Sequence, residues 1–310
     1  MNPNKDLKFK DINIVLADSD LTYRRAIFNM LRNIGLRNIQ QVATIEEIRA
    51  SVFDPAPDLL ISEAELSDGD FTEFIFALRN GKIGNNPFMA ILTLTAEPSK
   101  DLVSRVLNSG SDDLLTKPMS ASQLKDRITN LVNQRKPFVV TSDYIGPTRR
   151  DSENRGDSIP LLEVPNTLRE KAIGTLNNRK STKEIEEAIK QINLQKLKQY
   201  GVQIVYLVEH ILTAISAGEN DEHTQQQIKQ LNFVAHDTGR RLVGTDLDHI
   251  TKLCQTLITV SERIKSSLKS PKEQDLELLP PLAAAIKAGF DIDSKGTADF
   301  AEQILSELSE

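Results

Sequence analysis

The sequence contains a single cysteine, Cys254, and no long apolar run. One thiol excludes an intrachain disulfide and a cysteine cluster for a metal, so a cytoplasmic location is expected. Apolar runs such as residues 204–208 are far shorter than the roughly 18 residues that a membrane span requires. Residues 1–6 are not followed by the apolar stretch of a secretory signal. We therefore expect neither a secreted nor a membrane-spanning protein.

An excess of positive charge is also missing. The 38 Lys and Arg residues are outnumbered by 44 Asp and Glu residues, giving a net charge of -6, which argues against non-specific nucleic-acid binding, although a local basic patch is still compatible with it. No glycine-rich phosphate loop is present, and the spacing of His210, His223 and His249 does not indicate a metal site. A length of 310 residues with 39% hydrophobic residues favours two globular domains. We expect a non-enzymatic role.

The first 135 residues alternate short apolar runs with amphipathic stretches. Residues 59–62 form a buried strand that ends at Glu63 and leads into a polar loop. Strands are predicted over residues 12–17, 39–43, 59–62, 89–94 and 113–116, and helices over residues 21–34, from 44 onwards, 71–79, 99–108 and 120–133. Because right-handed crossovers place helices on both faces of a sheet, the pattern predicts an α/β domain with a doubly wound, five-stranded parallel sheet.

Polar side chains follow four of the predicted strands at the point where each strand ends. Asp18 and Asp20 follow the first, Glu63 ends the third, Thr95 follows the fourth and Lys117 follows the fifth. Open α/β folds place their ligands at the carboxyl ends of parallel strands. We therefore expect these side chains to share one edge of the sheet.

Over residues 11–134 the motifs resemble the receiver domains of two-component response regulators. The matching pieces are the strand ending in Asp18, residues 57–62, residues 94–96 and residues 110–118. The resemblance implies a flavodoxin-like fold and an aspartate that takes a phosphoryl group from a kinase histidine. An acidic pair then holds Mg²⁺, while a hydroxyl and a lysine bind phosphoryl oxygens. Thr95 matches the hydroxyl, Lys117 the lysine and Asp18 the first acidic residue, and the Lys117–Pro118 peptide matches one that is commonly cis.

Two positions depart from this pattern. Ser19 stands at the second acidic position, since Asp20 comes one residue too late, and Glu63 stands at the phosphoacceptor position. The longer side chain and the missing charge should both weaken Mg²⁺ binding, so no cofactor is expected, with a weak Mg²⁺ site at Asp18 as the alternative. We interpret Glu63 as a stand-in for a phosphorylated aspartate that holds Lys117 and Thr95 by charge-assisted contacts. The alternatives are a tolerated surface carboxylate and true phosphorylation.

Residues 136–180 have a different composition. Prolines and glycines interrupt any helix, and Arg149, Arg150, Arg155 and Arg169 concentrate positive charge. The segment is interpreted as a linker between a receiver-like domain, residues 8–135, and a helical interaction domain, residues 181–310. The alternative is a docking segment for an acidic partner or phosphate.

Residues 181–310 carry apolar residues at helical spacing, which predicts an all-α bundle. Pro280 and Pro281 are expected to separate it from shorter helices over residues 282–288 and 297–308. The stretch around His236 resembles a histidine phosphotransfer domain, although the lysine and glycine that follow the family's histidine are not reproduced. Arg240, one turn further on, could replace the lysine charge. The alternative is an ordinary solvated histidine.

The combined prediction is an atypical response regulator of a bacterial phosphorelay that acts by protein contact. Its expected partners are a histidine kinase, a phosphotransfer protein or another regulator, with self-association through an amphipathic face as a further outcome. One rival hypothesis makes His236 a phosphate carrier. Another makes the protein a transcriptional regulator whose DNA binding depends on salt.

Overall fold

The structure is a computed structural model that describes residues 7–53, 55–149, 159–219, 221–245 and 247–291. The chain divides into two compact units, Met1–Lys190 and Gln191–Glu310. The predicted helix over residues 297–308 lies outside the described residues, as do Arg150, Arg155 and the side chain of His249. None of the helices in the described ranges has the length and apolar character of a membrane span.

The first unit is built on five parallel strands in the order β2-β1-β3-β6-β7. These strands are β1 (Asn13–Ala17), β2 (Asn38–Val42), β3 (Leu59–Glu63), β6 (Ala90–Thr95) and β7 (Asp113–Thr116). The alternating helices are α1 (Leu21–Ile34), α2 (Ile45–Ser51), α3 (Phe71–Arg79), α4 (Lys100–Ser109) and α5 (Ala121–Asn133). The predicted doubly wound sheet is confirmed. A two-stranded hairpin, β4 (Glu65–Leu66) and β5 (Gly69–Asp70), follows β3.

The two faces of this sheet bury separate apolar clusters because alternate residues of each strand point to opposite sides. On one face, Leu59 and Ile61 of β3 pack in a cluster with residues of α1 and α5. On the other face, Leu60 packs in a cluster with residues of α2 and α3. Because both faces of β3 are buried in these clusters, its register is fixed and so is the position of Glu63 at its end.

Side-chain caps set where these helices begin. The Thr44 hydroxyl accepts a hydrogen bond from the Glu47 backbone N–H at 3.2 Å, and the predicted start of α2 follows from it. Ser120 and Gln123 form a capping box at the start of α5. Gly35 ends α1 in the left-handed conformation at φ 110°, which a side chain would disfavour.

The segment predicted as a linker contains β8 (Phe138–Val140), β9 (Ile145–Pro147) and α6 (Thr167–Ile173). Phe138 pairs with Leu162 in an antiparallel bridge, so the chain is extended at both positions. Lys171 of α6 binds the carboxylate of Asp58, the residue before β3, at 2.7 Å. The Asp58 carboxylate also accepts the backbone N–H of Asn13 at 2.7 Å. These contacts hold α6 at the amino edge of the sheet.

A buried cluster joins β8 to the sheet through two arginines that share one carboxylate. Arg79 Nη2 lies 2.9 Å and Arg135 Nε 2.8 Å from Asp112 oxygens, and Arg79 also donates to the carbonyls of Gly110 and Met89 at 2.9 Å. Both guanidinium groups lie 5.2 Å from the Phe138 ring centre. Burial lowers the pKa of Arg79 to about 10 although Asp112 opposes the shift, so the guanidinium stays charged at neutral pH.

The helical elements beyond α6 are α7 (Asn178–Ser216), α8 (Glu222–Leu242), α9 (Asp248–Ser266) and α10 (Glu273–Asp291). The expectation that Pro280 and Pro281 separate helices is wrong, since both lie inside α10. Proline removes backbone hydrogen bonds, but Leu279 and Leu282 on either side are buried in the bundle core. Packing against that core outweighs the local cost.

Candidate functional site

The side chain of Lys117 lies between two carboxylates at the carboxyl edge of the sheet. Its Nζ is 2.9 Å from Asp18 Oδ2 and contacts Glu63 Oε2. The Lys117 and Asp18 side chains are almost fully buried, and Glu63 is largely buried. Strands β1, β3 and β7 run parallel and end together, so residues 99 positions apart in the sequence meet here. Asp18, Glu63 and Lys117 therefore lie together at this edge, as the sequence predicted.

Burial and ion pairing compete in this group. Burial raises the pKa of the Glu63 carboxyl, and the Lys117 ammonium opposes that shift without cancelling it, so the pKa stays above its usual value. Burial lowers the pKa of Lys117, but hydrogen bonds and charges from Glu63 and Asp18 outweigh it and leave the pKa raised. The ammonium is therefore held charged, and Glu63 takes up a proton more easily than an exposed glutamate.

Tyr23 of α1 covers the same ammonium, with Lys117 Nζ 4.6 Å from its ring centre. A cation over an aromatic face is attracted by the ring quadrupole. Tyr23 is itself 44% exposed, so it forms the outer side of the site. Sequence reasoning missed this residue because a tyrosine in the first turn of a helix carries no motif signal.

The acidic positions do not suit Mg²⁺ well. The Ser19 hydroxyl donates to the Ala43 carbonyl at 3.0 Å and accepts the Ser67 backbone N–H at 2.8 Å. The Asp20 carboxylate caps α1 by accepting backbone N–H groups, which lowers its pKa. In the described part of the chain, no three His, Cys, Asp or Glu side chains gather as metal ligands do. Asp18 and Glu63 are already paired with the Lys117 ammonium. The two carboxylates are therefore poor ligands for a hard cation such as Mg²⁺.

Thr95 lies at the end of β6, beside this group. Its hydroxyl accepts the Glu97 backbone N–H at 3.2 Å, and its carbonyl accepts the Lys117 backbone N–H at 2.7 Å. The Lys117–Pro118 peptide is cis, as the resemblance implied. The backbone hydrogen bond between Thr95 and Lys117 therefore fixes the position of the Lys117 backbone. The Thr95 hydroxyl instead binds the backbone of the loop that follows β6.

The loop after Glu63 is tied to two helices. Both carboxylate oxygens of Asp68 accept backbone N–H groups at the start of α2, from Ile45 at 2.8 Å and Glu46 at 3.1 Å. Arg105 of α4 pairs with Asp70 and, at 3.0 Å, with Glu65. Helix-terminus contacts and ion pairs of this kind order a loop. The carboxylate of Glu63 thus projects from a braced segment.

Comparison with known proteins bears on this unit alone. The family model described as the response regulator receiver domain matches residues 14–129. Residues 14–129 therefore resemble a response regulator receiver domain and are called the receiver domain. A probable transcriptional regulatory protein, y4xI, from Sinorhizobium fredii is 31% identical over 120 residues, covering 39% of this chain and 50% of that protein. A probable chemotaxis protein CheY from Rhizobium etli is 25% identical and covers 38% of this chain and 89% of that protein.

The receiver domain also matches solved structures. A two-component response regulator from Clostridium difficile is 25% identical, with a TM-score of 0.36, covering 40% of this chain and 98% of that one. The chain spans about half the length of the first curated relatives it matches, y4xI and the KDP operon regulatory protein KdpE of Escherichia coli.

His236 lies on α8 in the other unit, with its side chain exposed. The neighbouring Asp237 is turned into the bundle, where it accepts from Tyr200 Oη at 2.9 Å and from Arg241 Nε at 2.8 Å. Arg240 Nε donates to its second oxygen at 2.8 Å. The structure thus keeps His236 and the Asp18 group in separate units, and Arg240 is engaged with Asp237.

Asp237 should make the helical unit sensitive to acid. Burial raises its pKa, but the two arginines outweigh burial and bring the pKa to about 2, below the ordinary 3.8. A depressed pKa stabilises the fold above the unfolded value, and that contribution is lost as the pH falls through the folded pKa. We expect the free energy of unfolding to drop by about 2 kcal/mol between pH 5 and pH 2 on account of Asp237.

Urea unfolding followed by far-UV circular dichroism measures this loss. Asp237→Asn is the control, because an amide does not titrate in this range and should flatten the profile. An unchanged profile in the variant would show that other carboxylates carry the acid sensitivity.

Proposed function

We propose that this chain is an atypical response regulator that signals through protein contact, with Glu63 in place of the phosphoacceptor aspartate. The observation that carries the proposal is the Lys117 ammonium in contact with Glu63 and, at 2.9 Å, with Asp18. In receiver domains the matching lysine pairs with a phosphoryl oxygen. Here a carboxylate already fills that role, so the switch residue is engaged without phosphate.

The rest of the site supports this function. Ser19 is used to brace two loops instead of offering a carboxylate, and two paired carboxylates form a weak site for Mg²⁺. Phosphoryl transfer to a receiver depends on positioning and on metal charge. The domain therefore acts as a non-enzymatic scaffold whose partners are a histidine kinase, a phosphotransfer protein or another regulator.

Exposure to phosphoramidate with Mg²⁺, followed by intact-mass analysis and peptide mapping, tests this proposal. We expect no phosphate adduct on Glu63 in the natural chain. The double variant Ser19→Asp/Glu63→Asp restores the family pattern at both departures and should gain an adduct. Glu63→Gln is the matched control that removes the carboxylate while keeping the side-chain length. An adduct on Glu63 of the natural chain would overturn the proposal.

A phosphotransfer role for His236 is the second candidate. It is favoured by the exposed position of His236 midway along a bundle helix, where an imidazole is open to a donor. The same phosphoramidate experiment distinguishes it: an adduct that maps to the second unit and is absent from His236→Ala would establish a carrier. Absence of that adduct from the natural chain would exclude it.

A transcriptional role rests on relatives whose names describe transcriptional regulators. Those matches cover 39% and 37% of this chain. Salt-dependent binding to mixed DNA fragments, weakened by Arg149→Gln and Arg169→Gln, would support it. Binding that is absent at low salt would contradict it.

A further inference from the structure

The outer face of α7 carries large apolar side chains in contact with solvent. Leu194, Val202 and Tyr206 are 48%, 54% and 56% exposed. The opposite face of the same helix is buried in the bundle core through residues such as Ile204 and Ile211. A helix that is apolar on both faces is typically buried on both. The exposed face of α7 therefore has the composition of a contact surface.

These apolar side chains share one face of the helix with two charged residues. With 3.6 residues per turn, all six side chains project within about 120° of one another around the helix axis. Each of them is exposed or half-buried. We name this face the α7 strip, and its members are Leu194, Lys198, Val202, Val205, Tyr206 and Glu209.

The two charges of the α7 strip have opposite signs and lie on either side of its apolar middle. Lys198 comes one turn before Val202, and Glu209 comes one turn after Val205. The two charged residues are roughly 16 Å apart along the helix axis, which is too far for an ion pair between them. Both are exposed, and no salt bridge among the described residues of the helical unit involves either one.

A second copy of the α7 strip has the complementary chemistry when the two helices run antiparallel. If the twofold axis passes between residues 203 and 204, Lys198 of one copy lies opposite Glu209 of the other. The same axis places Val202 of one copy opposite Val205 of the other. Each pair occurs twice because such a contact is isologous. A parallel arrangement would instead oppose two lysines and two glutamates, so the charges select the antiparallel orientation.

Tyr206 gives the apolar middle a fixed aromatic side chain. Its ring packs on the imidazole of His210, with ring centres 4.1 Å apart. A side chain that is already held in place loses less conformational entropy when a partner covers it. Large rigid aromatic side chains of this kind often contribute most to the energy of an interface.

The size of the α7 strip indicates how tight the contact should be. From Leu194 to Glu209 the strip is roughly 22 Å long, and two packed helices lie about 8–10 Å apart. A contact through one helix face is at the lower end of the range of specific interfaces. We therefore expect an association that dissociates on dilution.

We propose that two copies of this chain associate through the α7 strip, with their α7 helices antiparallel. Two ion pairs between Lys198 of one copy and Glu209 of the other flank an apolar centre that both copies supply. The dimer brings two receiver domains into one assembly. It uses no residue of the Glu63 site, so its failure would leave the proposed function untouched.

Sedimentation velocity of the full chain over a dilution series tests the dimer. The series extends to about 0.5 mM, where a dimer with a sub-millimolar dissociation constant is populated. Lys198→Glu replaces two attractive pairs with two repulsive ones and should raise the dissociation constant about tenfold. Val202→Asp buries a carboxylate in the apolar centre and should raise it further. The double variant Lys198→Glu/Glu209→Lys exchanges the two charges and should restore association.

Lys252→Glu is the matched control, because it makes the same charge change at an exposed position of α9. It should leave the dissociation constant unchanged, and far-UV circular dichroism shows whether each variant keeps its helices. A natural chain that stays monomeric throughout the series would overturn the proposal. A dimer that Lys198→Glu leaves intact would also overturn it, since a parallel pair or another surface would then join the chains. Failure of the double variant to associate better than Lys198→Glu would overturn the antiparallel pairing.

Discussion

Lys117→Met should destabilise the receiver domain by about 3–5 kcal/mol, since it leaves Asp18 and Glu63 buried without a counter-charge. Lys117 contacts both carboxylates, and methionine fills a similar volume without the ammonium group. The measurement is pulsed hydrogen exchange of the β3 and β6 amides across a urea series. This readout follows the receiver domain separately from the helical unit.

Two further variants make this result specific. Lys125→Met makes the same substitution at an exposed position of α5 and should cost less than about 1 kcal/mol. Glu63→Gln combined with Lys117→Met should recover part of the loss, because it removes one of the two uncompensated charges. The cost of Lys117→Met should also shrink in acid, since burial already raises the pKa of Glu63. A cost equal to that of Lys125→Met would show that the ion group does not support the fold.

Arg79→Met should destabilise the receiver domain by a similar amount, about 3–5 kcal/mol. It removes a fully buried guanidinium that pairs with Asp112 and donates to the carbonyls of Gly110 and Met89. The Gly110 carbonyl would lose this donor, and the Asp112 carboxylate and the Met89 carbonyl would keep Arg135 as their side-chain donor, in an environment where water cannot replace the lost bonds. The urea series used for Lys117→Met gives the free energy of unfolding.

The same variant should loosen β8 before the sheet unfolds. Both the Arg79 and the Arg135 guanidinium lie 5.2 Å from the centre of the Phe138 ring, so the loss of one removes part of the packing around that ring. Amides of β8 should then exchange faster under native conditions. Arg49→Met is the matched control, because its pair with Glu46 is exposed at the surface. Unchanged exchange in β8 after Arg79→Met would show that the hairpin is held by other contacts.

Much of the receiver domain was predictable because its signals are local. Parallel strands are buried on both faces and appear as short apolar runs, and residues 59–62 are such a run. Thr44 and Ser120 mark helix starts through caps that involve neighbouring residues. Once the sheet was predicted, the meeting of Asp18, Glu63 and Lys117 followed from the strand ends alone.

Other features depend on contacts that no local pattern reveals. The pairing of Arg79 with Asp112 joins residues 33 positions apart, and either residue alone resembles a surface charge. Lys196 and Tyr200 interrupt the apolar spacing of α7 with polar groups, yet both are buried, with the Lys196 ammonium 5.0 Å from the Tyr200 ring centre. Aromatic and hydrogen-bonding partners from elsewhere in the fold make such polar residues acceptable in a core.

β3 carries a carboxylate–lysine pair at each of its ends. Asp58 pairs with Lys171 of α6 just before the strand begins, and Glu63 pairs with Lys117 where it finishes. The five residues of β3 separate the two pairs by roughly 17 Å. An ion pair therefore anchors each end of this short, regular strand. A change in the Glu63 contact that shifted β3 along its axis would therefore strain the Asp58–Lys171 pair at the other end of the strand. Through that pair the shift would reach α6, the helix that precedes α7 in the sequence.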